Sequence, residues 1–213
     1  MTDSTPPAGR AHAPATLRNR EPILAVLRRV LPEKGLLLEI ASGTGEHATF
    51  MAPRLGPDLI WQPSDGRPEA LADIDGNTGD AACPRIRPAG HLDVCAEWPI
   101  GRADAVFCAN MIHIAPWTAA EGLFAGASRV LEAGAPLVLY GPFKRNGVHT
   151  APSNERFDVA LQAQDRRWGV RCLDSEVEPL ARAQHFILEE VVAMPANNLT
   201  VIFRRQSRRH SVS

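Results

Sequence analysis

Lysine is nearly missing from this sequence: Lys34 and Lys144 are the only two, and arginine supplies the remaining positive charge. Lys+Arg total 23 against 24 Asp+Glu, a formal net charge of -1. A chain so balanced does not hold nucleic acid by bulk positive charge. Long apolar runs are missing too: none approaches the ~18 residues that a membrane span needs. The first 15 residues are polar and rich in proline and alanine, with no apolar signal core. Four cysteines, Cys83, Cys95, Cys108 and Cys172, stand apart, without metal-ligand spacing. These absences predict a cytoplasmic protein with free thiols, no metal, no membrane contact and no nucleic-acid partner. They leave the oligomeric state open.

What is present suits one domain. At 213 residues and 45% hydrophobic composition, the chain can bury a single sizeable core. Residues 1–14 read as a disordered, proline-rich segment and 15–205 as the domain. The chain closes on a basic, serine-bearing stretch at 204–213, of which 206–213 lie beyond the domain. Ile23, Leu24, Leu27, Val30 and Leu31 recur at helical spacing, with Pro22 in a first turn and Pro32 as the stop. Residues 36–41 form a short apolar run, as expected of a strand buried on both faces. Helix and strand then alternate. Strands are predicted at 59–62, 85–88, 103–109 and 136–140, and helices at 46–55, 67–74 and 118–131. Residues 92–94 follow the weak third strand. That alternation predicts a parallel sheet covered by helices. About 30 residues then precede the next clear element, long for such a connection. The stretch 141–172 reads as a lid insertion, with Ser153 capping a helix that presents Phe157, Ala160 and Leu161 on one face. A helix at 174–184 and antiparallel strands at 186–192 and 199–203 complete the domain, joined by a turn at 195–198.

The sharpest motif is Glu39-Ile40-Ala41-Ser42-Gly43-Thr44-Gly45, where the first strand turns into a helix. Glycine there lets backbone approach a ligand, at the strand edge where open parallel sheets bind them. Asp65, 20 residues after Gly45, ends the second strand, where a carboxylate can accept both ribose hydroxyls of a nucleoside. Asp93 follows the third strand and can accept an adenine amine. Glu39 lies inside the first strand and needs a partner once buried. A dinucleotide would place its pyrophosphate at this helix start. Glu39 and Glu46 disfavour that. Asp73-x-Asp75-x-Asn77 opens like a calcium loop, but Thr78 and Pro84 stand where Gly and Glu belong.

These residues resemble the first motif of class I S-adenosylmethionine-dependent methyltransferases. More narrowly, the chain resembles the uncharacterised family that includes methyltransferase-like protein 26. That likeness is carried by Asn19-Arg20-Glu21-Pro22, Trp61-Gln62-Pro63-Ser64-Asp65, Asn110-Met111-Ile112-His113, Ala151-Pro152-Ser153-Asn154 and Pro195-Ala196-Asn197-Asn198. It implies a Rossmann-like α/β fold: a seven-stranded, mostly parallel sheet with an antiparallel C-terminal strand and helices on both faces. It also implies S-adenosyl-L-methionine as cofactor. Glu39, Ala41, Ser42, Gly43, Gly45 and His47 would surround its methionine and ribose end. Asp65 would hold the ribose hydroxyls, Asp93 and Val94 the adenine, and Asn110 and Met111 the sulfonium. Ala41 departs from a glycine frequent in this motif.

The expected activity is methyl transfer to a small, polar molecule; the alternative is a protein that binds the cofactor without catalysis. His113 is the general-base candidate by type. Tyr140, the single tyrosine, could orient an acceptor or exclude water. Asn19, Arg20, Asn154, Asn197 and Asn198 are the candidate substrate contacts.

Overall fold

The computed structural model describes residues 14–207. Most of the segment expected to be disordered and most of the basic tail lie outside that range. The elements run α1 (Pro14–Val30), β1 (Lys34–Ile40), α2 (Glu46–Met51), β2 (Asp58–Asp65), α3 (Ala70–Gly79), β3 (Gly90–His91), β4 (Ala105–Ala109), α4 (Trp117–Val130) and β5 (Pro136–Gly141). A small hairpin follows, β6 (Lys144–Arg145) and β7 (Val148–His149), then α5 (Pro152–Gln164). A π-helical turn (Leu173–Val177) leads into α6 (Glu178–Ala183), and β8 (Phe186–Met194) and β9 (Asn198–Arg205) close the fold.

Seven strands form one sheet in the order β3-β2-β1-β4-β5-β9-β8. β9 runs antiparallel to both its neighbours, and the other pairings are parallel. Side-chain alternation splits the core into two layers. Leu38, Ile40, Leu137 and Leu139 pack under α4 and α6. Leu37, Trp61, Phe107, Val138 and Tyr140 pack under α1 and α2. The sheet order reverses at β1 and β4, whose carboxyl ends form the crevice where such sheets bind ligands.

Several expectations need correction. α1 runs through Pro22 and begins two turns earlier than the spacing suggested. The proline costs one backbone bond without ending the helix, because Ile23, Leu24 and Leu27 anchor the next turns in the core. The third strand is Gly90–His91, paired with Ser64 and Asp65. At 85–88 only Ile86 bridges Trp61, since the flanking Pro84 and Pro88 have no N–H to donate. Arg204 and Arg205 belong to β9, and Arg205 is buried, donating to the carbonyls of Ser128 and His185.

The insertion helix also turns differently. Ala151 occupies the N-cap position of α5, Ser153 lies in its first turn, and Phe157 and Ala160 face outward. Its buried residues are Asn154, Asp158 and Leu161. A polar stripe can face inward here because its groups are partnered. Asp158 takes Lys144 Nζ at 2.8 Å, His149 Nε2 at 3.1 Å and the Val170 N–H at 2.8 Å. Asn154 donates to Thr150 Oγ1 at 3.0 Å and to the Asn197 carbonyl at 2.9 Å. The insertion is thereby tied to the β8–β9 turn. Among the described residues no helix is long and apolar enough to cross a membrane. Nor do three or more His, Cys, Asp or Glu side chains gather to hold a metal.

Candidate functional site

The turn after β1 is built on left-handed backbone: φ is 56° at Ala41, 63° at Gly43 and 73° at Gly45. A Cβ on Gly45 would press Ile74 and Thr78 at 3.1 Å, whereas one on Gly43 would meet nothing within 4 Å. Gly45 therefore serves packing, and Gly43 borders open space. The Gly43 N–H donates to Asp65 Oδ2 at 3.0 Å, which links the turn to the end of β2. Asp65 is buried, and its Oδ1 accepts the backbone N–H of Arg67 at 3.0 Å and its Nε at 3.1 Å.

Glu39 is buried on the α1 side of β1. Its Oε2 accepts Trp61 Nε1 and Ser42 Oγ, each at 2.9 Å. Desolvation outweighs these bonds and, with the nearby Asp65 charge, pushes its pKa up to about 7. His47 stands 3.8 Å from Glu39 Oε1 through Nδ1, and its Nε2 meets Asn19 Oδ1 at 3.1 Å. Burial lowers the His47 pKa to about 4, so the ring is neutral and its Nε2–H donates to Asn19. Asp93 is exposed and accepts the Cys95 N–H at 2.9 Å. Gly66 lies against the Leu92–Asp93 backbone, and Val94 is half-buried beside it in sequence. Asn110, at φ 62°, follows β4 directly and donates its N–H to the Tyr140 carbonyl at 2.7 Å. Met111 is buried.

S-adenosylmethionine is a group whose fit can be judged from these residues. Three carboxylates, Glu39, Asp65 and Asp93, follow the edge at β1, β2 and β3, and the glycine between them has open space where a side chain would be. Those acceptors suit a cationic amino group, a ribose diol and an amine. They do not suit a pyrophosphate.

At the carboxyl ends of β4 and β5 lies a cleft of about 620 Å³. α1 contributes Arg18 and Asn19, β4 and β5 contribute Asn110 and Tyr140, and α5 and the β8–β9 turn close the far side. The Tyr140 hydroxyl accepts Asn198 Nδ2 at 2.9 Å and is also hydrogen-bonded by Asn19. Burial raises its pKa. Ala196 and Asn197 take φ of 57° and 59°, the left-handed pair of a tight hairpin turn. Asn154, Asn197 and Asn198 thus share one wall with Ser153 and Phe157.

Two sequence candidates are not in this cleft. His113 is completely buried, its Nδ1 accepting the Arg171 N–H at 3.2 Å and its carbonyl accepting the Gly169 N–H at 2.9 Å. Its ring stands edge-on to Phe143 at 4.8 Å. Desolvation and the Arg171 charge lower its pKa to about 3. It pins the insertion to the end of β4 and is not among the described residues that line the cleft. Arg20 stacks on the Phe50 ring at 4.3 Å, opposed by Arg54 at 4.1 Å. The arginine that lines the cleft is Arg18, which the sequence reasoning missed. Phe157 and Ile114 were missed as lining residues too.

Solved structures share this fold. The S-adenosylmethionine-dependent methyltransferase SibL, in its apo form, matches with a TM-score of 0.74 at 21% identity, over 91% of this chain and 56% of its own. CalO1, a methyltransferase of calicheamicin biosynthesis solved with SAH bound, matches with a TM-score of 0.70 at 19% identity, over 87% and 54%. An O-methyltransferase family protein from Burkholderia thailandensis matches with a TM-score of 0.75 at 15% identity, over 91% and 58%. The chain spans little more than half the length of these proteins. Its fold is the Rossmann-like fold of class I methyltransferases. The model of a family described as "Protein of unknown function (DUF938)" matches residues 10–205, and the chain belongs to that family.

Proposed function

We propose that this chain is an S-adenosylmethionine-dependent methyltransferase acting on a small, polar molecule. The observation that carries the reading is the Gly43–Asp65 link: an open glycine turn whose N–H is held by the buried carboxylate ending β2, with a separate cleft connected to it through Asn19 and His47. The likeness to the family of methyltransferase-like protein 26 is part of the same reading. So are the small-molecule chemistries named for the structural neighbours.

When bound, S-adenosylmethionine supplies a methyl group on a sulfonium, an electrophile that needs alignment and dryness more than a base. Glu39, Ser42, Gly43 and Gly45 would hold its amino-acid end, Asp65 its ribose, and Asp93 with Val94 its adenine. Asn110 and Met111 would border the sulfonium. On the acceptor side, Tyr140, Asn198 and Asn154 orient polar groups, while α5 and the β8–β9 turn exclude water. The Asn19–His47–Glu39 contacts join the two sides: they hold Asn19, which in turn bonds the Tyr140 hydroxyl.

The test is transfer of isotope-labelled methyl groups from S-adenosylmethionine into the small-molecule fraction of a cell extract. Label should enter that fraction with the wild-type chain and fail to enter with Asp65→Ala. Equal labelling by both, or label found only in protein or RNA, would contradict the proposal.

A further inference from the structure

We propose that the cleft takes a small monoanion with an apolar body, its charged end against the Tyr140 hydroxyl and the Arg18 guanidinium. This deepens the methyltransferase reading by naming a ligand class, and it rests on that reading for what becomes of the ligand.

The first observation is the polarity of Tyr140. Its oxygen receives two amide N–H groups, from Asn198 at 2.9 Å and from Asn19. Both amides are oriented by other contacts. Asn19 presents its oxygen to His47 at 3.1 Å, and Asn198 Nδ2 also lies 3.5 Å from the Pro195 carbonyl. With its lone pairs occupied, the hydroxyl has only its own proton left to offer. Among the described residues no side chain or carbonyl takes that proton. Tyr140 borders the cleft, so a ligand oxygen is the acceptor it can meet.

The second observation is charge. Among the described lining residues Arg18 is the one charged side chain, and none is Asp or Glu. Its charge acts on the Tyr140 hydroxyl. A cationic ligand would lose its hydration opposite an arginine and a hydroxyl proton, with no carboxylate in return.

The third is where apolar surface is left uncovered. Five large apolar side chains among the described residues are exposed. Two of them, Ile114 and Phe157, lie on different elements and meet in this cleft, with Pro142 and Pro195 beside them. Convergence of that kind gives a ligand's apolar body a seat.

The fourth is that the described lining residues include no base. His113 is sealed behind Gly141, where a Cβ would sit 2.6 Å from Nε2, and His47 lies behind Asn19. A molecule that arrives already ionised does not need its proton removed.

The test uses two matched series: phenylacetate, phenylacetamide and phenethylamine, and hexanoate, hexanamide and hexylamine. Binding to the full chain is followed by protein-observed NMR, with and without S-adenosylhomocysteine. The carboxylates should perturb the cleft resonances and bind about tenfold or more tightly than the amides, the increment of a charged hydrogen bond. The amines should not bind. Arg18→Gln, an exposed substitution that leaves the fold intact, should erase the preference for carboxylate. Tyr140→Phe should weaken the carboxylates by a similar factor. Amines binding as well as carboxylates, or no carboxylate binding in either series, overturns the proposal. S-adenosylhomocysteine affinity is measured in the same samples. If it is absent while the carboxylates bind, the methyltransferase reading fails and the anion cleft stands.

Discussion

Replacing Glu39 by glutamine should remove a pH dependence that the wild-type fold carries. The folded carboxyl holds its proton up to about pH 7, against an ordinary value of 4.5. Below 4.5 both folded and unfolded chains are protonated there, and this group's contribution is complete. As pH rises from 4.5 to about 7, the unfolded chain gives up the proton first, so stability falls; above 7 it levels off. At about 1.4 kcal/mol per unit, the loss is on the order of 3 kcal/mol, undiminished by solvent because the group is buried. His47 and His113 act with the opposite sign. Their pKa values fall from 6.5 to about 4 and about 3, so stability drops as acid protonates the unfolded chain below 6.5. Both histidines remain in the variant, and between pH 5 and 7 the difference between wild type and Glu39→Gln is dominated by the carboxyl. Urea midpoints at several pH values between 4 and 8 supply that difference. A glutamine at position 39 can still accept from Trp61 or Ser42, so any pH-independent cost shifts the curve without tilting it. The reasoning is refuted if the difference stays flat across the window, or if the wild type gains on the variant as pH rises.

Three further outcomes follow from local geometry. Ala41 sits at φ 56°, so Ala41→Gly should relieve left-handed strain and stabilise the fold by up to about 1 kcal/mol after glycine's extra unfolded entropy; a lower Tm would contradict this. Asp158→Ala strips a buried carboxylate from Lys144, His149 and the Val170 N–H. Hydrogen exchange should quicken by about a hundredfold or more across 144–170 while β1 and β4 stay protected, since breaking a buried pair costs roughly 3 kcal/mol; unchanged exchange there would show that Asp158 does not anchor the insertion. Arg67 is largely exposed where it meets Asp65, so Arg67→Ala should raise S-adenosylhomocysteine affinity by no more than about fivefold. A large loss of affinity would instead make Arg67 a ligand contact.

The parallel sheet and the glycine turn were legible because their signals are local. A continuous apolar run, a Gly-x-Gly turn and an acid at the next strand end each need only a few neighbouring residues. The insertion helix was not legible for the opposite reason. Its buried stripe, Asn154 and Asp158, looks like a solvent face until Lys144, His149, Val170 and Asn197 arrive from distant positions to satisfy it. The third strand moved because Pro84 and Pro88 break the ladder that composition suggested. Arg18 and Arg20 are two positions apart, about 200° around a helix; without knowing which face of α1 meets the cleft, sequence could not choose between them. His113 was picked by residue type, and burial, which type does not encode, removed it from the cleft.

The most direct test of the central claim is calorimetric titration of the full chain with S-adenosylmethionine and with S-adenosylhomocysteine, at high protein concentration. A single site for both is expected, with affinity falling at least about tenfold in Asp65→Ala as charged hydrogen bonds are lost. No heat from either compound, or equal affinity in wild type and Asp65→Ala, would contradict the account.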